Sequence, residues 1–172
     1  QCLNTLKTEF MFIDEEEDFE AIELTNDFIQ ERLSDLQQVE DSDFCFTFTS
    51  FCVQAAEIRN IEPILEFNQL TNIQLRNNLI NDITPLCKMP RLKKLDLVEN
   101  RIKSIKNLEF PVLETLNLSK NQLVFVENFT MPKLQDLNLS ENKIFYVSPF
   151  AFSNCESLKS LNLSTNSIRE LK

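Results

Sequence analysis

Between Leu70 and Leu171 the apolar positions recur in one fixed order. A Leu is followed by apolar residues three and five places on, by Asn eight places on and by Leu or Ile ten places on. The units are LTNIQLRNNLI from Leu70, LKKLDLVENRI from Leu92, LETLNLSKNQL from Leu113, LQDLNLSENKI from Leu134 and LKSLNLSTNSI from Leu158, spaced by 22, 21, 21 and 24 residues. Apolar residues two apart, with polar residues between them, are the pattern of a strand with one buried face. Each unit therefore predicts a short strand, a turn at its Asn and a return segment closed by further apolar residues. Ile83 and Leu86, Ile105 and Leu108, Val126 and Phe129, Val147 and Phe152, and finally Leu171 hold those closing places.

Five tandem units of near-constant length resemble the leucine-rich repeat. The resemblance implies an α/β solenoid, a curved right-handed parallel coil. Short strands line its concave side, and short helices or irregular segments form the convex side. The residues between the Leu places fall on the concave face, from Asn72, Gln74 and Arg76 in the first unit to Ser160, Asn162 and Ser164 in the fifth, with Thr115, Asn117, Ser119, Asp136, Asn138 and Ser140 between them. Asn78, Asn100, Asn121, Asn142 and Asn166 leave their strands at the turn. A buried amide there can bond the backbone of its own and the neighbouring coil, so stacking converts the five into a ladder.

Three segments follow from this frame. Residues 1–23 read as an acidic arm or linker, with Phe10, Met11, Phe12 and Ile13 beside the run Asp14-Glu15-Glu16-Glu17-Asp18. Residues 24–47 read as a capping helix and connector. Thr25, Asn26 or Asp27 can cap a helix over 25–40, and Phe28, Ile29, Leu33 and Leu36 make its apolar stripe. Residues 48–172 read as the repeat domain. It begins with a degenerate repeat framed on Phe48, Phe51, Val53, Ala56 and Ile58, in which Ala56 replaces the ladder Asn, and Phe44 and Phe46 extend its apolar side. Five regular repeats follow. The last stops just inside its return segment with no polar cap, which reads as a C-terminally incomplete solenoid.

The net charge of −10 is unevenly spread. Residues 1–47 hold fourteen Asp/Glu and two Lys/Arg, whereas the rest holds thirteen and fifteen. Neither part offers a phosphate-binding surface, so no nucleic-acid partner is expected. No apolar run reaches the ~18 residues of a membrane helix, so no membrane partner is expected. The chain has no His and no Gly, which removes Ser-His-Asp chemistry, imidazole metal sites and Gly-rich phosphate loops. No catalytic residue, cofactor, metal or small-molecule substrate is predicted. Cys2, Cys45, Cys52, Cys87 and Cys155 are odd in number and widely spaced, which points to a reducing compartment, hence to the cytoplasm. The four sequons at Asn117, Asn128, Asn138 and Asn162 arise largely from the repeat filler Leu-Asn-Leu-Ser.

Protein contact is the remaining class. The concave face is small, polar and without aromatic anchors. The edge after the Asn turn is different. Val124 and Phe125 occupy the same places as Phe145 and Tyr146, where neighbouring repeats carry Lys103 and Ser104 or Arg169 and Glu170. Both pairs lie between inward-facing residues, so they are expected outward and side by side as a partner-binding patch. Phe10 and Phe12 in the arm are a second candidate contact.

The regular short units resemble intracellular leucine-rich repeat scaffolds, including the protein phosphatase 1 regulator type and the axonemal dynein light chain type. The segments Leu24-Thr25-Asn26-Asp27, Leu33-Ser34-Asp35-Leu36 and Pro111-Val112-Leu113-Glu114-Thr115-Leu116-Asn117-Leu118 resemble the family of the ciliary, radial-spoke-associated leucine-rich repeat-containing protein 23. That resemblance implies a non-enzymatic adaptor in a large cytoskeletal complex with axonemal protein partners in a cilium. A phosphatase regulator and an extracellular receptor-type recognition domain are the alternatives. The sequons and the longer unit with Pro149 and Phe152 lean towards the receptor style.

Overall fold

A computed structural model of the chain describes residues 22–38 and 46–169. Its backbone is a parallel-strand solenoid. Strands β1 (Leu33–Gln38), β2 (Phe46–Cys52), β3 (Asn72–Gln74), β4 (Lys94–Asp96), β5 (Thr115–Asn117), β7 (Asp136–Asn138) and β9 (Ser160–Asn162) form one sheet in that order. Strands β6 (Phe125–Val126) and β8 (Tyr146–Val147) form a second, two-stranded sheet. The repeat frame sets the register. Ile73, Leu95, Leu116, Leu137 and Leu161 stand opposite one another in sequence, flanked by Asn72, Lys94, Thr115, Asp136 and Ser160.

A coil of about 21 residues cannot enclose its own apolar side, so each Leu or Ile is covered only by the coils above and below it. The result is one continuous core from Leu24 to Cys155, with Ile73, Leu75, Leu97, Leu118, Leu139 and Ile144 fully buried. Phe110, Phe129 and Met131 fill the side opposite the sheet. There the return segments are short 3-10 turns in the early coils, at Glu62–Glu66 and Thr84–Lys88. Later they are extended, bridging at Glu109 and Thr130 and then as β6 and β8. The longer unit from Leu134 shifts the closing residues. Ala151 and Cys155 are buried, and Phe152 is only half-buried against Phe129, with ring centroids 5.9 Å apart.

The asparagines link coil to coil. Asn121 Oδ1 accepts from Ile102 N–H at 3.0 Å, while its Nδ2 donates to Leu97 O at 2.9 Å and Leu118 O at 3.1 Å. Asn78, Asn100, Asn142 and Asn166 make equivalent bonds. The degenerate repeat lacks its own Asn, and Asn78 serves it by accepting from both Ala56 and Ile58 N–H at 3.1 Å. The residue before each ladder Asn is left-handed: Asn77, Glu99, Lys120, Glu141 and Thr165 have φ between 52° and 60°. The N–H groups of Asn77, Glu99, Lys120 and Glu141 bond the next coil, as Glu99 N–H does Ser119 O at 3.0 Å. With no Gly in the chain, ordinary side chains take a conformation that costs roughly 1–2 kcal/mol each.

The N-terminal cap departs from the pattern. The helix expected over 25–40 is confined to α1 (Asn26–Gln30), capped by the Thr25 hydroxyl, which accepts from Phe28 N–H at 3.2 Å. Arg32 then lies 3.6 Å over the Phe28 ring and donates to Phe28 O. Leu33 and Leu36 belong instead to β1, antiparallel to β2 with Leu36 opposite Phe48. The reason is the bare edge of the parallel sheet: a strand there satisfies a row of backbone donors and acceptors that a helix leaves open. Asp35, at φ 57°, kinks β1, and Thr49 Oγ1 donates to its carbonyl while Ser50 Oγ donates to its carboxylate. Phe48, framed as an inward residue, is turned out with Leu36 as an exposed cross-strand pair, because β2 stays extended against β1.

Candidate protein-interaction site

After Asn121 the chain runs Leu123-Val124-Phe125-Val126, and after Asn142 it runs Ile144-Phe145-Tyr146-Val147. Leu123, Val126, Ile144 and Val147 are buried, which fixes the segments to the core and turns the residues between them outward. Aromatic and branched residues suit extended backbone. Here they pair as β6 and β8, with Phe125 opposite Tyr146, Phe145 N–H donating to Val124 O at 3.1 Å and Ser148 N–H donating to Val126 O at 2.8 Å. Phe125 and Phe145 meet edge-to-face with centroids 4.9 Å apart. Phe125, Phe145 and Tyr146 are 47%, 46% and 46% exposed, and Val124 is half-buried. Two half-exposed rings in contact, with a third half-exposed ring on the strand paired to Phe125, make an apolar surface of the kind that contacts other proteins.

Cations flank this ribbon. On the preceding coil Lys103 stands at the place of Val124 and Arg101 at that of Gln122, and Lys143, Phe145, Ser167 and Arg169 line a shallow recess on the following side. Lys106 is taken by Glu127 at 3.2 Å, whereas Arg101, Lys103, Lys143 and Arg169 form no ion pair among the described residues. Aromatic rings beside unpaired cations suit a partner segment that is both apolar and acidic.

Sequence reasoning missed Phe150. It is 69% exposed, beyond β8. The signal was present: the unit from Leu134 is longer than its predecessors and carries Phe150 and Phe152 two apart, so both cannot close the coil. Phe10 and Phe12 lie outside the described residues.

The concave face is polar and partly locked. Asn117, Asn138 and Asn162 stand in register on β5, β7 and β9, and each Oδ1 accepts from the N–H of the Ser two residues on. Ser119 and Ser140, expected on the concave solvent face, are buried by this turn. Arg76 donates to Asp96 through Nε at 2.9 Å and through Nη2 at 2.6 Å, and these bonds with the charge of Asp96 raise its pKa. Of the sequon asparagines, Asn128 is exposed on the return side and Asn162 on β9.

Cys52, Cys87 and Cys155 are free. Burial pushes the Cys87 and Cys155 thiols up, away from the thiolate a nucleophile needs. Among the described residues no group of Cys, Asp and Glu converges to hold a metal ion, and no helix is long and apolar enough to cross a membrane.

Residues 111–168 match the family model described as leucine rich repeat, and residues 90–130 match that described as leucine rich repeats in two copies. No curated protein matches the chain. Among solved structures, an internalin from Listeria monocytogenes is similar at 24% identity and a TM-score of 0.55, over 67% of this chain and 35% of that one. The TLR13 chain of a TLR13–ssRNA13 complex is similar at 26% identity and a TM-score of 0.62, over 72% of this chain and 19% of that one. The chain thus spans about a third and a fifth of the lengths of these two proteins. The family models and the coil geometry agree on a leucine-rich repeat solenoid.

Proposed function

We propose that this leucine-rich repeat solenoid is a non-enzymatic protein–protein interaction scaffold, and that its partner docks on the ribbon of Val124, Phe125, Phe145 and Tyr146. Leucine-rich repeat domains generally mediate protein–protein contact, and the observation carrying the reading here is the trio of half-exposed rings on β6 and β8. Such a cluster is a hot spot in composition, whereas the concave strands offer short polar side chains already engaged with their own backbone. The TLR13 neighbour is complexed with RNA. In this chain Arg76 is paired with Asp96, and Lys94 shares its row with Asp136, so the concave face lacks the run of free cations that a phosphate backbone requires.

Within that class, the segments Leu24–Asp27, Leu33–Leu36 and Pro111–Leu118 favour a structural adaptor of a cytoplasmic, cytoskeletal assembly. A radial spoke of a ciliary axoneme is the assembly we propose. The exposed sequon at Asn128 favours a second reading, an extracellular recognition domain. Affinity capture from a ciliated-cell extract with the intact chain and with the double variant Phe125→Ser/Tyr146→Ser tests the scaffold. Axonemal proteins retained by the first and lost by the second are expected. Equal capture by both rejects the ribbon as the docking site, and capture of surface-receptor proteins by Asn128-glycosylated chain replaces the adaptor with the second reading.

A further inference from the structure

The stretch from Lys88 to Lys93 differs from the same stretch of its neighbours. Buried Met89 and Leu92 pin it to the core and leave Lys88, Arg91 and Lys93 exposed just before β4. The preceding coil carries Glu66, Gln69 and Thr71 at these places, and the following coil Glu109, Val112 and Glu114. Lys93 reaches Glu114 only at 3.9 Å, and Arg91 forms no ion pair among the described residues.

Two of these cations border a groove. Arg91 and Lys93 line a recess of about 400 Å³ together with Gln37, Thr47, Gln69 and Thr71, and no carboxylate lines it. The side-chain amides of Gln37 and Gln69 make no hydrogen bond among the described residues, so they and Arg91 are open donors. A second recess of about 260 Å³ is lined by Leu33, Leu36, Phe48 and Phe67, with Leu36 59% and Phe48 43% exposed. Glu66 lines it too and is held by Asn26 Nδ2 at 2.7 Å. Thr47 and Gln69 line both recesses, which makes them one groove with an apolar end and a cationic end. From β2 to β4 there are two strand spacings, roughly 10 Å at about 4.8 Å each. An extended chain covers that distance in about three residues.

We infer that this groove is a second docking surface and takes an extended acidic segment of a partner protein, with an apolar side chain against Leu36 and Phe48 and carboxylates about three residues away against Arg91 and Lys93. The groove lies on the first coils, before their strands, whereas the ribbon lies after the ladder Asn of later coils. The inference therefore does not depend on the ribbon, and a scaffold with both surfaces can hold two partners at once. Two lining cations are too few to track a phosphate backbone, and side chains set in a recess suit a single extended chain better than a lipid surface.

An oriented peptide library tests this. Peptides with one fixed Phe among degenerate positions are selected on the intact protein and on three variants. Asp and Glu are expected to be enriched roughly fivefold about three places to one side of the Phe, and the enrichment to fade as salt is raised. Arg91→Glu/Lys93→Glu is expected to exchange that preference for Lys and Arg, a reversal that a misfolded chain would not give. Leu36→Ser/Phe48→Ser is expected to lose the preference for Phe over a library fixed at Ser. Phe125→Ser/Tyr146→Ser is expected to keep the acid preference, so failure of the ribbon reading and failure of the groove are told apart. No acid preference in the intact protein, or the same preference after charge reversal, overturns the inference. So does stronger retention of poly-uridine or of phosphatidylserine vesicles than of acidic peptides, lost in Arg91→Glu/Lys93→Glu, which assigns the cations to nucleic acid or to lipid.

Discussion

Single side chains hold the coils at fixed spacing, and the ladder asparagines show how. Asn121 satisfies Ile102 N–H and the carbonyls of Leu97, Leu118 and Ser119 in a buried site. Asn121→Ala leaves these groups unpaired, and a loss of about 2–4 kcal/mol in urea unfolding is expected. Asn166 makes the same set of bonds but is only half-buried, so water can replace it and Asn166→Ala is expected to cost less than half as much. The thiols set a second residue-scale dependence. Cys87 and Cys155 titrate higher in the fold than in the open chain because burial disfavours the thiolate. The unfolded chain therefore sheds protons first on the alkaline side. Stability is whole below the ordinary thiol value and declines as pH rises through it, from about pH 8.5 upward. Unfolding midpoints taken across that range are expected to fall for the native chain and to fall less for Cys87→Ser/Cys155→Ala.

At the scale of elements, the sequence was most readable where a residue's surroundings repeat. The strand register, the buried Leu and Ile places and the outward turn of Phe125, Phe145 and Tyr146 all follow from one frame, because each coil meets nearly identical neighbours; Val124, expected outward with them, is half-buried. Legibility failed where the frame meets an edge. Leu33 and Leu36 have helical spacing, but the bare side of β2 takes a strand, a non-local demand that no local period encodes. The pairing of β6 with β8 was equally hidden, since it depends on two consecutive coils carrying aromatic residues at one place. That small sheet lies outside the main stack. Phe125→Ser and Tyr146→Ser each remove a half-buried ring, and each is expected to cost about 1–2 kcal/mol of global stability, less than the loss of a fully buried Leu. Amide exchange at Phe145 and Ser148, whose N–H groups bond β6, checks the local effect and is expected to speed up in either variant.

The whole molecule is quasi-one-dimensional, and its stability is distributed accordingly. Central coils are covered on both sides. At β9 the last coil leaves Leu161 39% exposed and Leu163 half-buried among the described residues. Leu116→Ala or Leu137→Ala removes a buried side chain shared by three coils and is expected to cost roughly 2–5 kcal/mol, whereas Leu161→Ala costs well under half of that. Hydrogen exchange is expected to show the same gradient, slowest from β3 to β7 and fastest at β9. At this scale charge also separates, with the acids concentrated before residue 48 and a nearly balanced body behind them.

The central claim is that the aromatic ribbon, and not the concave face, is where another protein binds. Cross-linking mass spectrometry on the native protein in its own cell extract tests it most directly, because Lys103 and Lys143 flank the ribbon while Lys94 lies on the concave strand β4. Cross-links to a partner concentrated on Lys103 and Lys143, towards tubulin, spoke or dynein subunits, are the predicted result. Links concentrated on Lys94, with Lys103 and Lys143 silent, contradict the account.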